Sequence, residues 1–302
     1  LFGPFFGLER SADILDAVKE INQVLPGVRI KDRLLERLKC QMSCQTVLDF
    51  LEENGYLNTR ILELFRASKI TRLSLSESLR DAYGLNLIED HLFPVFSKPN
   101  SFLCLTDLIL DGIPLTATML LHIQHLPKLS KLSLFDSAVD DECIYLLVAL
   151  RRTLSDLNVS RNPSITGDAV PALIVMDNLS HLSIAETSIE VPGARLLAKG
   201  YNNRCQRITI DFPEQCCEYV ENMKNKYLLD LPPPLITNPN LCDRLSVAAL
   251  QRNLAAHAEV NRSISARGTK DEMGERLRKL LEMRLGDLEI RRIMEQVDEV
   301  VL

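Results

Sequence analysis

Residues 154–165, Leu154-Ser-Asp-Leu157-Asn-Val159-Ser-Arg-Asn162-Pro-Ser-Ile165, put apolar side chains at the first, fourth, sixth and twelfth positions and an asparagine at the ninth. The apolar-x-x-apolar-x-apolar core of this stretch occurs six times. It opens at Ile70, Leu105, Leu129, Leu154, Leu179 and Cys205, at intervals of 35, 24, 25, 25 and 26 residues. In each copy the last two apolar positions are two apart, which places both on one face of a short strand. Between the copies, Leu115–Ile123, Cys143–Leu150, Ala169–Met176 and Val191–Leu197 carry apolar residues at three- and four-residue steps, the helical period. No strand this short is stable alone, so the strands are expected to stack in parallel over a shared core.

The 154–165 stretch resembles the leucine-rich-repeat consensus, and Asn162 carries the match. That resemblance implies a side chain hydrogen-bonded to the backbone that turns after the strand. At the same offset the other copies have Ser78, Ile113, Ser137 and Thr187, so hydroxyls mostly replace the asparagine. The long helical repeats look like the ribonuclease-inhibitor or F-box-associated type, and the resemblance covers about residues 58–212. It implies an α/β leucine-rich-repeat solenoid with parallel strands on the concave face and helices on the convex one. The expected organisation is a helical N-terminal cap or adaptor-binding region over 1–57, the solenoid over 58–227, a Pro-rich linker over 228–242, and a SAP-like helical module with a C-terminal amphipathic helix over 243–302.

With 46% hydrophobic residues among 302, the chain can bury a substantial core. No apolar run approaches a membrane span, and Leu1-Phe-Gly-Pro-Phe-Phe-Gly is too short and too broken by Gly and Pro for a signal core. The eight cysteines show no clustered disulfide cap. Cys104, Cys143 and Cys205 fall where small buried thiols would sit, which points to nucleus or cytoplasm. The pairs Cys40/Cys44 and Cys216/Cys217 have no matching second pair at zinc spacing, so no metal and no cofactor is expected.

Before the repeats, Ser11 is placed to cap a helix over Ala12–Val24 that Pro26-Gly27 ends. Ile30, Leu34, Leu35 and Leu38 begin a second helix, and Ser43 is placed to cap a third. Two readings stand: a cap over the first strand, or an adaptor-binding helical motif, since Leu25-Pro26 with Leu34-Leu35 and Leu38 resembles the start of an F-box.

Outward positions on the strands give a first row of Arg72, Asp107, Lys131, Asp156, His181 and Arg207. A second row is Ser74, Ile109, Ser133, Asn158, Ser183 and Thr209, and a third is Ser76, Asp111, Phe135, Ser160, Ala185 and Asp211. Alternating signs in the first row read either as a self-neutralising ladder or as part of a binding surface. Phe135 is the one large apolar anchor. The expected partner site is Phe135, Lys131, Asp156, Asn158 and His181 on the concave face, for a protein partner.

The triple proline Pro232-Pro233-Pro234 ends the repeats in a stiff, extended connection. Beyond it, Leu245-Ser-Val247-Ala-Ala-Leu250-Gln-Arg-Asn-Leu254 and Gly268-Thr-Lys270-Asp-Glu-Met273-Gly-Glu-Arg276-Leu277 resemble a SAP module. Its departures are the 14-residue interval from Leu254 to Gly268 and the missing Gly-Leu after the first helix. The resemblance implies a weak DNA or RNA contact through residues 243–284 by Arg262, Arg267, Gly268, Thr269, Lys270 and Arg276. A helix N-terminus at Gly268 would suit a phosphate. Nine Lys/Arg against six Asp/Glu make this stretch +3, modest beside the −6 of residues 1–242. A helical pair that simply packs is the other reading. Asp287–Val301 reads as a separate amphipathic helix.

The chain carries no phosphate-cradling glycine loop, no HExxH and no GxSxG elbow. His91, His122, His125, His181 and His257 lack metal-ligand spacing. The expectation is a non-enzymatic intracellular recognition scaffold. A ligase substrate receptor and a purely structural subunit are the alternatives.

Overall fold

A computed structural model describes residues 11–26, 28–38, 43–79, 92–203 and 207–298. Cys40, Cys205 and His91, together with Gly27 and the two chain ends, lie outside the described residues. The fold is α/β, and the chain divides into two compact units, Leu1–Ser188 and Ile189–Leu302.

Among the described residues the first unit opens with four helices: α1 (Ser11–Val24), α2 (Ile30–Leu38), α3 (Cys44–Glu53) and α4 (Thr59–Phe65). Ile14, Ala17, Val18 and Ile21 form the buried stripe of α1. Ser43 caps α3 through a reciprocal box with Thr46, and the Asn58 side chain accepts from the Ile61 N–H at the start of α4. Leu25 and Leu34, two of the residues behind the adaptor-binding reading, are buried in this unit's core.

Strands then alternate with helices: β1 (Arg72–Ser74), α5 (Ser76–Leu79), β2 (Asp107–Ile109), α6 (Ala117–Ile123), β3 (Lys131–Ser133), α7 (Asp141–Leu147), β4 (Asp156–Asn158), α8 (Val170–Ile174) and β5 (His181–Ser183). The five strands pair in sequence order, all parallel, with matching motif positions in register. Core positions Leu73, Leu108, Leu132, Leu157 and Leu182 are all at most 2% exposed. Within the long first interval, Phe93, Phe96 and Phe102 make a tilted ring cluster, with centroids 6.2 and 5.1 Å apart.

Two periodic ladders reinforce the stacking. The hydroxyls of Thr106, Ser130, Ser155 and Ser180 each donate to the carbonyl of the equivalent residue one motif earlier, at 3.0–3.2 Å. After the strands, Asn162 sits fully buried at the predicted turn. Its Nδ2 donates to the carbonyls of Leu134, Val159 and Ser160, and its Oδ1 accepts from the N–H of Ser137 and Val139. At the same offset, Ser137 donates its hydroxyl to the Leu110 carbonyl and Thr187 to that of Ile184. These hydroxyls satisfy turning backbone in the same way, with fewer hydrogen bonds each.

The second unit contains α9 (Val191–Asn202), β6 (Thr209–Asp211), α10 (Glu214–Glu221), α11 (Val247–Val260) and α12 (Lys270–Asp298). Two features differ from expectation. The compact-unit boundary falls at Ser188/Ile189, and the Pro-rich stretch lies inside the second unit. That stretch is held by specific partners: Leu228 N–H to His257 Nδ1 at 3.1 Å, Arg284 to the Leu228 and Leu229 carbonyls, and Ile236 N–H to Asn253 Oδ1 at 2.9 Å. Second, the expected separate helix after Asp287 is the continuation of α12, a single 29-residue helix. Gly286 costs such a helix about 1 kcal/mol relative to alanine, but it has a packing reason here, since an added Cβ would lie 3.0 Å from Arg195 Cγ.

His257 is buried, and because its Nδ1 accepts a hydrogen bond, Nε2 carries the proton, without a partner among the described residues. Burial, then the Arg284 charge, lowers its pKa to about 4. The folded value lies below the unfolded one. The stabilisation is therefore present above about pH 6.5 and is lost as pH falls towards 4, on the order of 3 kcal/mol. Amide exchange across α11 should accelerate over that acid range in the wild type and stay flat in His257→Gln; equal pH profiles would rule the group out.

Candidate functional site

The strand register assembles the predicted surface in the first unit. Arg72, Asp107, Lys131, Asp156 and His181 are direct partners across successive strands, and so are Ser74, Ile109, Ser133, Asn158 and Ser183. All of these side chains alternate with the buried leucines and so face away from the core.

Lys131 is well exposed, and its Nζ lies 3.9 Å from Asp107 Oδ1. Exposed pairs of this kind contribute less than about 1 kcal/mol, so the lysine remains available. Asp156 stands between Lys131 and His181 in the register. Asn158 spends its Oδ1 locally, accepting from the Ser160 N–H at 3.0 Å. Ser160 and Ser183 share a hydroxyl hydrogen bond of 2.7 Å, so the hydroxyl row is partly satisfied within itself.

Phe135 is half-buried, and its anchor role is modified by a neighbour that the sequence did not single out. The Arg161 guanidinium lies 5.3 Å from the Phe135 ring centroid, and its Nε is 3.1 Å from Glu186 Oε2. On the other side, Asp111 Oδ1 accepts from the Phe135 N–H at 3.1 Å and from Ser133 Oγ at 2.5 Å. The anchor is thus an aromatic ring under a paired arginine, beside a shallow cleft of about 330 Å³ lined by Asp136, Arg161, Pro163 and Glu186.

Arg161 and Glu186 arrive there by a backbone device. Gly112, Asp136, Arg161 and Glu186 occupy equivalent positions after successive strands, all left-handed with φ of 69°, 53°, 59° and 55°. The N–H groups of Gly112, Asp136 and Arg161 donate to the carbonyls of Phe135, Ser160 and Ala185 in the following motif. Glycine takes this conformation freely, while each other residue pays about 1 kcal/mol, which the conserved bonding direction along the stack offsets. The sequence signal was the shared offset of these four positions. Their side-chain chemistry has nothing in common.

The second predicted group lies around the start of α12. Arg262, Arg267, Gly268, Thr269 and Lys270 are exposed on the loop and first turn. The helix N-terminus is not the open phosphate cradle expected from the sequence. Thr269 N–H donates to Glu272 Oε2 at 2.9 Å and Glu272 N–H to Thr269 Oγ1 at 3.3 Å, a capping box that fills it with the helix's own carboxylate. Arg276 is likewise engaged, donating from Nη1 to the carbonyls of Ser265 and Arg267 at 2.7 and 3.1 Å. A phosphate there would have to displace Glu272, and Arg262, Arg267 and Lys270 are the cations still turned to solvent.

Among the described residues no group of three His, Cys, Asp or Glu is arranged to hold a metal ion, and no helix is long and apolar enough to cross a membrane. Comparison of the chain with protein-family models gave no match, and comparison with curated proteins gave none.

Proposed function

We propose that this chain is a non-catalytic recognition scaffold of the leucine-rich-repeat kind, which binds a protein partner on the outward strand face centred on Phe135, Lys131, Asp156, Asn158 and His181. The observation that carries this reading is the register. Five parallel strands align their outward residues into rows of mostly polar and charged side chains, with one aromatic anchor. Such a surface has the composition of a specific interface, a central aromatic with arginine in a polar surround. Asn162, buried with five hydrogen bonds at the repeat turn, supports the repeat assignment. The thiols of Cys104, Cys143, Cys216, Cys217 and Cys242 are free, which supports an intracellular setting. Nucleic-acid contact by the tail is the weaker part of the reading, because the cap by Glu272 and the engagement of Arg276 leave it only a few exposed cations.

The test is a photoreactive phenylalanine analogue in place of Phe135, compared with the same analogue at the exposed Leu121 of α6. Crosslinks to protein are expected at 135 and not at 121. Phe135→Ala should then weaken binding of the crosslinked partner at least about tenfold, as loss of a buried aromatic anchor does. Crosslinking at 121 alone, or unchanged affinity in Phe135→Ala, would move the interface off this face.

A further inference from the structure

A strand at the edge of a sheet has one row of N–H and C=O groups with no backbone to pair with. On the outer side of β1, side chains of α3 take that place. Gln45 Oε1 accepts from the N–H groups of Thr71 and Arg72 at 3.0 and 3.3 Å, while Gln45 Nε2 donates to the Arg72 carbonyl at 2.8 Å. Inside the sheet the Thr71 carbonyl receives the N–H groups of Thr106 and Asp107 in the same two-to-one pattern. The Gln45 amide therefore stands in for the missing preceding strand. Two helical turns further along the same face of α3, Glu52 Oε1 accepts from the Ser74 N–H at 2.8 Å.

Gln45 and Glu52 differ in one respect that matters. Gln45 is neutral at every pH, whereas Glu52 carries an ionisable carboxyl that is 6% exposed. Of the charged groups that act on it, Asp49 and Glu53 on α3 share its sign and Arg72 on β1 opposes it. The next residue on α3, Glu53, lines with Asn54, Gly55 and Glu77 a cleft of about 250 Å³.

We propose that α3 is a pH-sensitive clamp on the edge of the sheet: protonated Glu52 holds it against β1, and ionisation of Glu52 favours its release into water. The physical basis is the imbalance between one N–H donor and the loss of hydration on burying a carboxylate. Burial, opposed by the Ser74 hydrogen bond and reinforced by Asp49, raises the Glu52 pKa from 4.5 to about 7. The sign follows from that direction. The clamped state prefers the proton more than the released state does, so clamping is strongest at acid pH and weakens as pH rises from about 4.5 through 7, levelling off above. The change thus falls across the physiological range. The clamp also works in the direction opposite to His257, whose unit loses stability on acidification.

The measurement is amide exchange of Thr71, Arg72 and Ser74 in the full chain, corrected for intrinsic exchange, with the amides of Leu132 and Leu134 in the sheet interior as controls. The opening equilibrium at the three edge amides should rise on the order of tenfold between about pH 6 and pH 8, while the controls stay level. Glu52→Gln keeps the acceptor and removes the charge, so its edge amides should be protected equally at both pH values. The carboxyl carbon resonance of Glu52, followed by NMR in the wild type, supplies a readout that needs no variant, and it should titrate near neutrality. Edge protection independent of pH, the same pH dependence in Glu52→Gln, or a Glu52 carboxyl titrating in the ordinary range would each overturn the clamp.

Discussion

Asn162→Ala is expected to destabilise the first compact unit by about 4 kcal/mol, as much as the loss of a buried core side chain. The side chain is fully buried and makes five hydrogen bonds, three as donor and two as acceptor, to backbone groups on either side of the turn. Alanine removes all of them and leaves the N–H groups of Ser137 and Val139 without the oxygen they share, in a place water does not reach. Each buried group so orphaned costs about 1–3 kcal/mol. Asn162→Asp should be no milder. It keeps the acceptors but loses both donors, and it turns a buried negative charge towards three carbonyl oxygens. Ser137→Ala and Thr187→Ala remove one hydroxyl each and should cost nearer 1 kcal/mol. Denaturant-dependent amide exchange over β3, β4 and β5 measures all four variants. A loss below about 1 kcal/mol for Asn162→Ala would mean that the turn is held by its backbone ladder and not by this side chain.

The same residue shows why part of this fold was legible in the sequence. Strand positions repeat at 24–26 residues and alternate between apolar and polar, and that pattern follows directly from a shared core under parallel strands. The rows of outward residues then followed by counting, and Lys131, Asp156, Asn158 and His181 fell in them. Three features escaped for a common reason, since each depends on polar residues whose partners are distant in sequence. Gln45 and Glu52 look like ordinary helix-surface residues until β1 is placed beside them. Arg161 reaches the Phe135 ring only because a left-handed turn recurs after each strand, and that turn accepts Gly112, Asp136, Arg161 and Glu186 alike. The continuity of α12 was hidden because its buried stripe, which runs through Met273, Leu277, Leu280 and Leu281 to Ile290 and Ile293, is interrupted by Arg284 and Asp287. Charged residues at the centre of a buried face break the apolar period, so one helix read as two.

Asp287 supplies the second large expected effect, a loss of about 4 kcal/mol from the second unit on substitution by alanine. Its carboxylate has no exposed surface. Oδ1 accepts from Arg195 Nε at 2.6 Å and Oδ2 from the Tyr227 hydroxyl at 2.5 Å, while Arg195 Nη2 donates to the Tyr219 hydroxyl at 2.8 Å. Burial alone would lower the Arg195 pKa, and the hydrogen bond and charge of Asp287 outweigh it and raise the value. Burial, with the Asp287 hydrogen bond, pushes the Tyr227 phenol well above its ordinary range, so it remains a donor. Through this cluster α12 is fixed to α9 and to the start of the Pro-rich stretch, and Gly286 lets the Arg195 stem lie close against the helix. Alanine at 287 strands a largely buried guanidinium and a buried phenol, and that penalty, more than any net gain from the ion pair, sets the magnitude. Two variants separate these contributions. Asp287→Asn keeps the shape and one acceptor and should cost about half as much, whereas Arg195→Met combined with Asp287→Leu removes both charges and should cost much less than the sum of the single changes. Amide exchange along α9 and α12 reads the outcome. If Asp287→Ala leaves those amides as protected as in the wild type, the apolar stripe alone holds α12, and the buried charges are tolerated passengers in it.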